Sequence, residues 1–265
     1  VYQNVQVLGD LDVSQFTRLM TAMTAWVSPE QGCAYCHAGN NFAEDDVYTK
    51  VVARRMIQMT QNINSSWSNH VGDTGVTCYT CHKGENVPNE IWYEHPGPRR
   101  AAGFTADSAG QNTVAPAAAF SSLPYDPFSP YLLDDTEISV IPGKALPVKG
   151  APTLPATKQT EETYALMMHM ADGLGVNCTY CHNSRAFADW SESSPARVTA
   201  WFGIRMAREI NTDYIVPLTD ELPDTRLGPL GDAPKTNCAT CHGGLNKPLN
   251  GANMLQNHPE LAGSD

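Results

Sequence analysis

The chain has eight cysteines, and all of them fall in four copies of one pattern: Cys33-Ala34-Tyr35-Cys36-His37, Cys78-Tyr79-Thr80-Cys81-His82, Cys178-Thr179-Tyr180-Cys181-His182 and Cys238-Ala239-Thr240-Cys241-His242. Two thiols three positions apart, followed at once by an imidazole, form the set that attaches a c-type haem. The thiols add to vinyl groups as thioethers and the histidine takes the proximal iron position. C-x-x-C pairs also serve redox disulfides and zinc sites. Here every pair carries its histidine, and starts at 33, 78, 178 and 238 match no zinc-ribbon spacing. The expectation is four covalently bound c-type haems. Cys33, Cys36, Cys78, Cys81, Cys178, Cys181, Cys238 and Cys241 attach them, and His37, His82, His182 and His242 are the proximal ligands.

A haem iron that only carries electrons is six-coordinate, whereas one that transforms a small molecule keeps a position open. The residue opposite each proximal histidine therefore separates carrier from enzyme. For haem one the sequence offers Met20 or Met23, and for haem three Met167 or Met170, each pair in a Leu-Met-x-x-Met stretch shortly before its motif. For haem two it offers Met56 or Met59. Haem four is ambiguous. Matching Ile63-Asn64 with Ile210-Asn211 places Gly203 opposite Met56, whereas matching Arg55-Met56 with Arg205-Met206 offers Met206 instead. Of the histidines outside the motifs, His95 and His258 each precede a proline and read as loop residues. His70, eight positions before Cys78, is a further possible ligand.

Helices must position these groups. Ser14 is expected to cap a helix carrying Phe16, Leu19, Met20, Met23 and Trp26 at helical spacing, with Pro29 beyond its end. Val51 to Asn64 reads as a second helix. Thr160 or Thr163 opens a third with Tyr164, Met167, Met168, Ala171 and Leu174, and Pro195 starts a fourth with Val198, Trp201, Phe202, Met206 and Ile210. Short strands are expected at Val5 to Leu8 and Ile138 to Ile141. Motifs one and three share C-x-Y-C-H with Phe-Ala five residues on, and motifs two and four share C-x-T-C-H with Asn-x-Pro. The expected fold is mainly α, a multihaem cytochrome c with an internal pseudo-two-fold repeat of a haem-pair unit and long irregular connections. Its parts are 1–96 with haems one and two, a Pro/Ala-rich connecting segment 97–157, and 158–265 with haems three and four. The connecting segment is expected to lie ordered against the surface or a partner. A further irregular stretch, Pro217 to Lys235, precedes motif four.

The formal charge is -11, which argues against nucleic acid and favours a neutral or basic protein partner. No stretch of 18 apolar residues occurs, so no membrane-spanning helix is expected.

The chain resembles the tetrahaem cytochrome c subunit bound to photosynthetic reaction centres of purple bacteria. Val51-Val52-Ala53-Arg54-Arg55-Met56, Gly75-Val76-Thr77-Cys78-Tyr79-Thr80-Cys81-His82, Arg185-Ala186-Phe187 and Asn246-Lys247-Pro248-Leu249 carry the resemblance. It implies three Met/His haems and one bis-His haem, and it selects Met20, Met56 and Met167 for haems one to three and His70 for haem four. It also implies an electron carrier rather than an enzyme, placed on the periplasmic side of the photosynthetic inner membrane. Such a subunit re-reduces the photo-oxidised special pair through contact with the reaction centre membrane subunits. A soluble cytochrome c or high-potential iron-sulfur protein reloads it. Membrane association is expected through a partner or an N-terminal anchor not present in this chain. The rival readings are a free periplasmic multihaem shuttle and a multihaem oxidoreductase. The matched methionine helices disfavour the first, and nominated distal ligands for all four irons disfavour the second.

Overall fold

The structure is a computed structural model that describes residues 2–39, 41–95, 115–121, 123–124, 126–138 and 156–263. Four long helices follow the apolar periodicity: α1 (Val13–Val27), α2 (Tyr48–Ser66), α5 (Ala156–Leu174) and α6 (Pro195–Glu209). Between them lie the one-turn helices α3 (Ser68–Val71) and α4 (Cys78–His82), and α7 (Cys238–His242) comes last. The chain is mainly α. Among the described residues, β pairing is limited to two isolated bridges, Trp92 with Lys235 and Ala115 with Ser121.

Several boundaries differ from expectation. Asp12, not Ser14, caps α1, because its carboxylate accepts from the Gln15 backbone N–H at 2.8 Å while the Gln15 side chain accepts from the Asp12 N–H at 3.1 Å. That reciprocal box satisfies two otherwise orphaned donors and outcompetes a serine two residues later. Helix α5 begins at Ala156, ahead of Thr160 and Thr163, since Ala156 to Gln159 contain no breaker after Pro155. Residues 5–8 form no strand, and Leu8 takes φ 69° to bury its side chain. Ile138 is likewise outside any strand, and 139–141 lie outside the described residues. Pro217 lacks a backbone donor. Beyond Glu209 the helix accordingly runs on as a π turn (Ile210–Ile215) and a 3-10 segment (Val216–Glu221) rather than as regular α.

Part of the connecting segment lies inside the molecule rather than on it. Phe128, Tyr131 and Leu132 are buried with Trp92, Leu166, Ile204 and Ala207, so one cluster draws residues from all three parts of the sequence. Asn211, fully buried, donates to the carbonyls of Leu132 (3.2 Å) and Thr236 (3.0 Å), and its oxygen accepts from the Thr236 backbone at 2.8 Å. Arg208 adds a bond to the Tyr131 carbonyl at 3.0 Å and an ion pair with Asp135.

The end of the chain returns to its beginning. Leu261 has no exposed surface and completes a cluster with Leu8, Leu19, Trp26 and Ile57. Asn64 on α2 donates to the Leu261 carbonyl at 2.7 Å, Gln61 to that of Glu260 at 3.0 Å, and Arg18 pairs with Glu260 at 2.9 Å. A Leu261→Ala variant is expected to lose about 2–5 kcal/mol, read as a lowered thermal midpoint of the haem-loaded protein. An unchanged midpoint would show that the C-terminal segment is not part of this core.

At the opposite edge, Asp45 accepts from Asn4 (3.0 Å) and pairs with Arg54 (2.7 Å) and Lys50 (3.0 Å). The Arg54 hydrogen bond, then those of Asn4 and Lys50, hold its carboxyl well below the usual carboxylate range. A depressed carboxylate contributes stability that is fully present above its unfolded pKa of about 3.9 and lost as pH falls toward the folded value. Residues 2–8 should therefore stay ordered at neutral pH and loosen in acid, read as backbone order by nuclear magnetic resonance. Equal order at neutral and acid pH would argue against this anchor.

Candidate haem sites and their relatives

The two motif types fold differently, and the third residue of each decides how. In motifs two and four the threonine sits at the third helical position and closes a capping box, Thr80 with Thr77 and Thr240 with Asn237, so each motif is a turn of α-helix. Motifs one and three carry tyrosine there, which offers no such reach, and they form 3-10 turns at Gly32–Tyr35 and Cys178–Tyr180. Asn86 and Asn246, from the two Asn-x-Pro stretches, tie back to the Val27 carbonyl (3.0 Å) and the Tyr180 hydroxyl (3.1 Å).

All four motif histidines are oriented alike. Nδ1 donates to a backbone carbonyl: His37 to Phe42 (3.2 Å), His182 to Phe187 (2.9 Å), His82 to Glu85 (2.9 Å) and His242 to Leu245 (2.8 Å). A carbonyl only accepts, so the proton is on Nδ1 and the Nε2 lone pair is left for a metal. The acceptor is five residues on where Phe-Ala follows and three residues on in the other two. Burial lowers the pKa of His37 and His82 and takes His242 down to about 4, which keeps these rings neutral. The cysteines form no disulfides. Burial pushes the Cys78 thiol up to about 11 and that of Cys238 to about 12.

The residues present fit a haem. A cavity of about 560 Å³ is lined by Met20, Cys33, Cys36 and His37 and also by Met56, Cys78, Cys81 and His82, so both ligand sets of the first half face one void. Met23 and Met59 line it too, so the choice of Met20 and Met56 rests on the resemblance. Met167 and Met170 both pack against the cluster around Leu166, and the same holds for that choice. Met206 is buried among Ile63, Ile210 and Ile215 beside Met56 and Met59, a packing position. His169 is buried on α5 with its ring edge-on to Phe128 at 4.6 Å. His258 lies edge-on to Trp26 at 4.7 Å and approaches Glu260 at 3.3 Å.

His70 stands on α3, yet it reaches α6. Its Nδ1 donates to the Thr199 carbonyl at 2.9 Å, and its ring lies 6.1 Å from that of His242, centroid to centroid. Two imidazoles sharing one metal through bonds of about 2 Å place their centroids about 6 Å apart. Gly203 makes the approach possible: a Cβ there would lie 2.4 Å from His70 Cε1 and 2.8 Å from Nδ1. The alignment on Ile-Asn had pointed to this glycine, whereas the Thr199 carbonyl that turns the ring left no mark in the sequence.

The arginines near the ligands are mostly engaged by protein. Arg54 pairs with Asp45, Arg55 donates to the Asp213 carbonyl and lies over Tyr214, and Arg197 lies over Trp190 at 4.1 Å. Arg205 lies over Trp201 at 4.6 Å. Among the described residues, no helix is long and apolar enough to cross a membrane.

The family model for the photosynthetic reaction centre cytochrome C subunit matches residues 1–262. The chain belongs to this family. Among photosynthetic reaction center cytochrome c subunits, that of Thermochromatium tepidum is 51% identical over 261 residues, 98% of this chain and 63% of its own length. That of Rubrivivax gelatinosus is 50% identical over 98% of this chain and 70% of its own length. The Roseobacter denitrificans subunit is 46% identical over 99% and 72%. The chain thus spans about two thirds of the length of the relatives it matches, and less than that of the first.

A Gly203→Ala variant tests the crossing ligand. Alanine favours a helix interior by roughly 0.5–1 kcal/mol over glycine, so α6 should persist while the added methyl expels the His70 ring. The expected result is loss of the bis-imidazole low-spin signal in electron paramagnetic resonance. Its retention at wild-type strength would refute the placement of His70.

Proposed function

We propose that this chain is a periplasmic tetrahaem electron-transfer subunit that re-reduces the photo-oxidised special pair of a reaction centre. A soluble cytochrome c or high-potential iron-sulfur protein re-reduces it in turn. The observation that carries the reading is the pair His70 and His242, their ring centroids 6.1 Å apart with Gly203 clearing the space. A bis-imidazole position beside sites served by methionine is what the family resemblance implies for the fourth haem.

Each bound haem supplies one-electron oxidoreduction at its iron, with Met/His ligation giving a higher potential than bis-His. The chain's own residues hold and order the sites. Cys33, Cys36, His37 and Met20 serve the first, Cys78, Cys81, His82 and Met56 the second, Cys178, Cys181, His182 and Met167 the third, and Cys238, Cys241, His242 and His70 the fourth. With two protein ligands assigned to each haem, none would keep the open position that small-molecule chemistry requires. This supports a carrier rather than an enzyme.

The packing of the attachment elements supports a linear order. Helix α1 packs on the motif-one turn and on α4, α4 packs on α7, and α7 packs on α5, which leads into motif three. The sites then follow one another as first, second, fourth and third. Covalent haem attachment takes place outside the cytoplasm, which is the basis for the periplasmic side. Attachment to reaction centre membrane subunits supplies membrane association in this reading.

Two measurements test it. Alkaline pyridine spectra of the purified protein should give four haems per chain, and a flash should oxidise these haems in membranes that hold the complex. A different haem count, or no flash-induced oxidation in intact membranes, would refute the proposal.

A further inference from the structure

The residue after each of the histidines of motifs two and four occupies the left-handed region, Lys83 at φ 52° and Gly243 at φ 56°. The two positions are equivalent in backbone and opposite in content. The Lys83 side chain crosses from α4 to α7, and its Nζ lies 2.7 Å from where a Gly243 Cβ would be. Glycine at 243 therefore serves two ends, the backbone conformation and the space for this ammonium. Here α4 and α7 are in contact. Among the described residues, no carboxylate lies within ion-pair distance of Lys83. The ammonium stands beside the residue that follows His242.

A half-buried cation next to a redox centre favours the state with one more electron, because reduction removes a positive charge from its neighbourhood. We propose that Lys83 sets the potential of the fourth site, raising that of the bis-His haem held by Cys238, Cys241, His242 and His70. This rests on the tetrahaem reading and adds to it a positioned charge on a residue that ligates nothing. Bis-His ligation gives a lower potential than Met/His ligation. Lys83 lifts that potential and so narrows the climb an electron makes between the second and third sites.

The test is a redox titration of purified, haem-loaded wild type, Lys83→Met and Lys83→Arg, followed by α-band absorbance and by electron paramagnetic resonance of the bis-imidazole signal. Lys83→Met should shift the reduced-to-oxidised ratio of that haem roughly ten-fold toward oxidised at a fixed potential, about 59 mV for one electron. The haem furthest from Lys83 should move least, and Lys83→Arg should stay near wild type. An unmoved bis-His midpoint in Lys83→Met, at four haems per chain, overturns the proposal, and so does an equal shift of all four haems. A wild-type count other than four haems overturns the underlying tetrahaem reading, which the pyridine spectrum reports separately.

Discussion

An imidazole can offer one ring nitrogen to a metal only if the proton on the other is placed somewhere. In this protein a backbone carbonyl accepts that proton at every motif histidine and again at His70. Everything else about the sites follows from how those carbonyls are delivered. Phe42 and Phe187 lie in extended turns after 3-10 motifs, whereas Glu85 and Leu245 close the loops after short α-helical ones. The capping threonines Thr80 and Thr240 thus shape the proposed ligand sites at one remove. They fix the helix that fixes the loop that fixes the ring.

The second organising feature is that the two halves of the sequence are interleaved. His70 reaches α6, residues 255–263 return to α1 and α2, and the Trp92–Lys235 bridge joins residues before the connecting segment to residues just before motif four. Lys235 is almost fully buried there. Its ammonium pairs with Asp232 (2.5 Å) and Glu94 (3.2 Å) and lies 5.1 Å from the Trp92 ring centroid. A buried cation needs such partners to offset desolvation. Contacts of this range leave neither half with a complete set of neighbours on its own.

The candidate ligands were local in the sequence, whereas the packing around them was not. Four C-x-x-C-H motifs, the Phe-Ala and Asn-x-Pro echoes and the helical spacing of Met20, Met56 and Met167 are local patterns, and local patterns survive in one dimension. The cap of α1 was misread because Ser14 and Asp12 both qualify, and only the reciprocal reach of Gln15 separates them. The burial of Phe128, Tyr131 and Leu132 was invisible because their neighbours, Trp92, Leu166 and Ile204, come from distant parts of the chain. Proline-rich sequence signals irregular backbone, and irregular backbone can still be core when Asn211 and Arg208 take up its carbonyls. Gly203 was noticed only as an absence opposite Met56. The structure makes it the space that His70 occupies.

The return of Leu261 to the first helix has a consequence for how the protein is made. A chain that emerges N-terminus first exposes Leu8, Leu19, Trp26 and Ile57 long before the residue that covers them has been synthesised. That pairing spans almost the whole sequence, the kind of contact whose loop-closure entropy is met late in folding. Leu261 also follows all four motifs in the sequence, so every motif residue is translated before the side chain that closes this core.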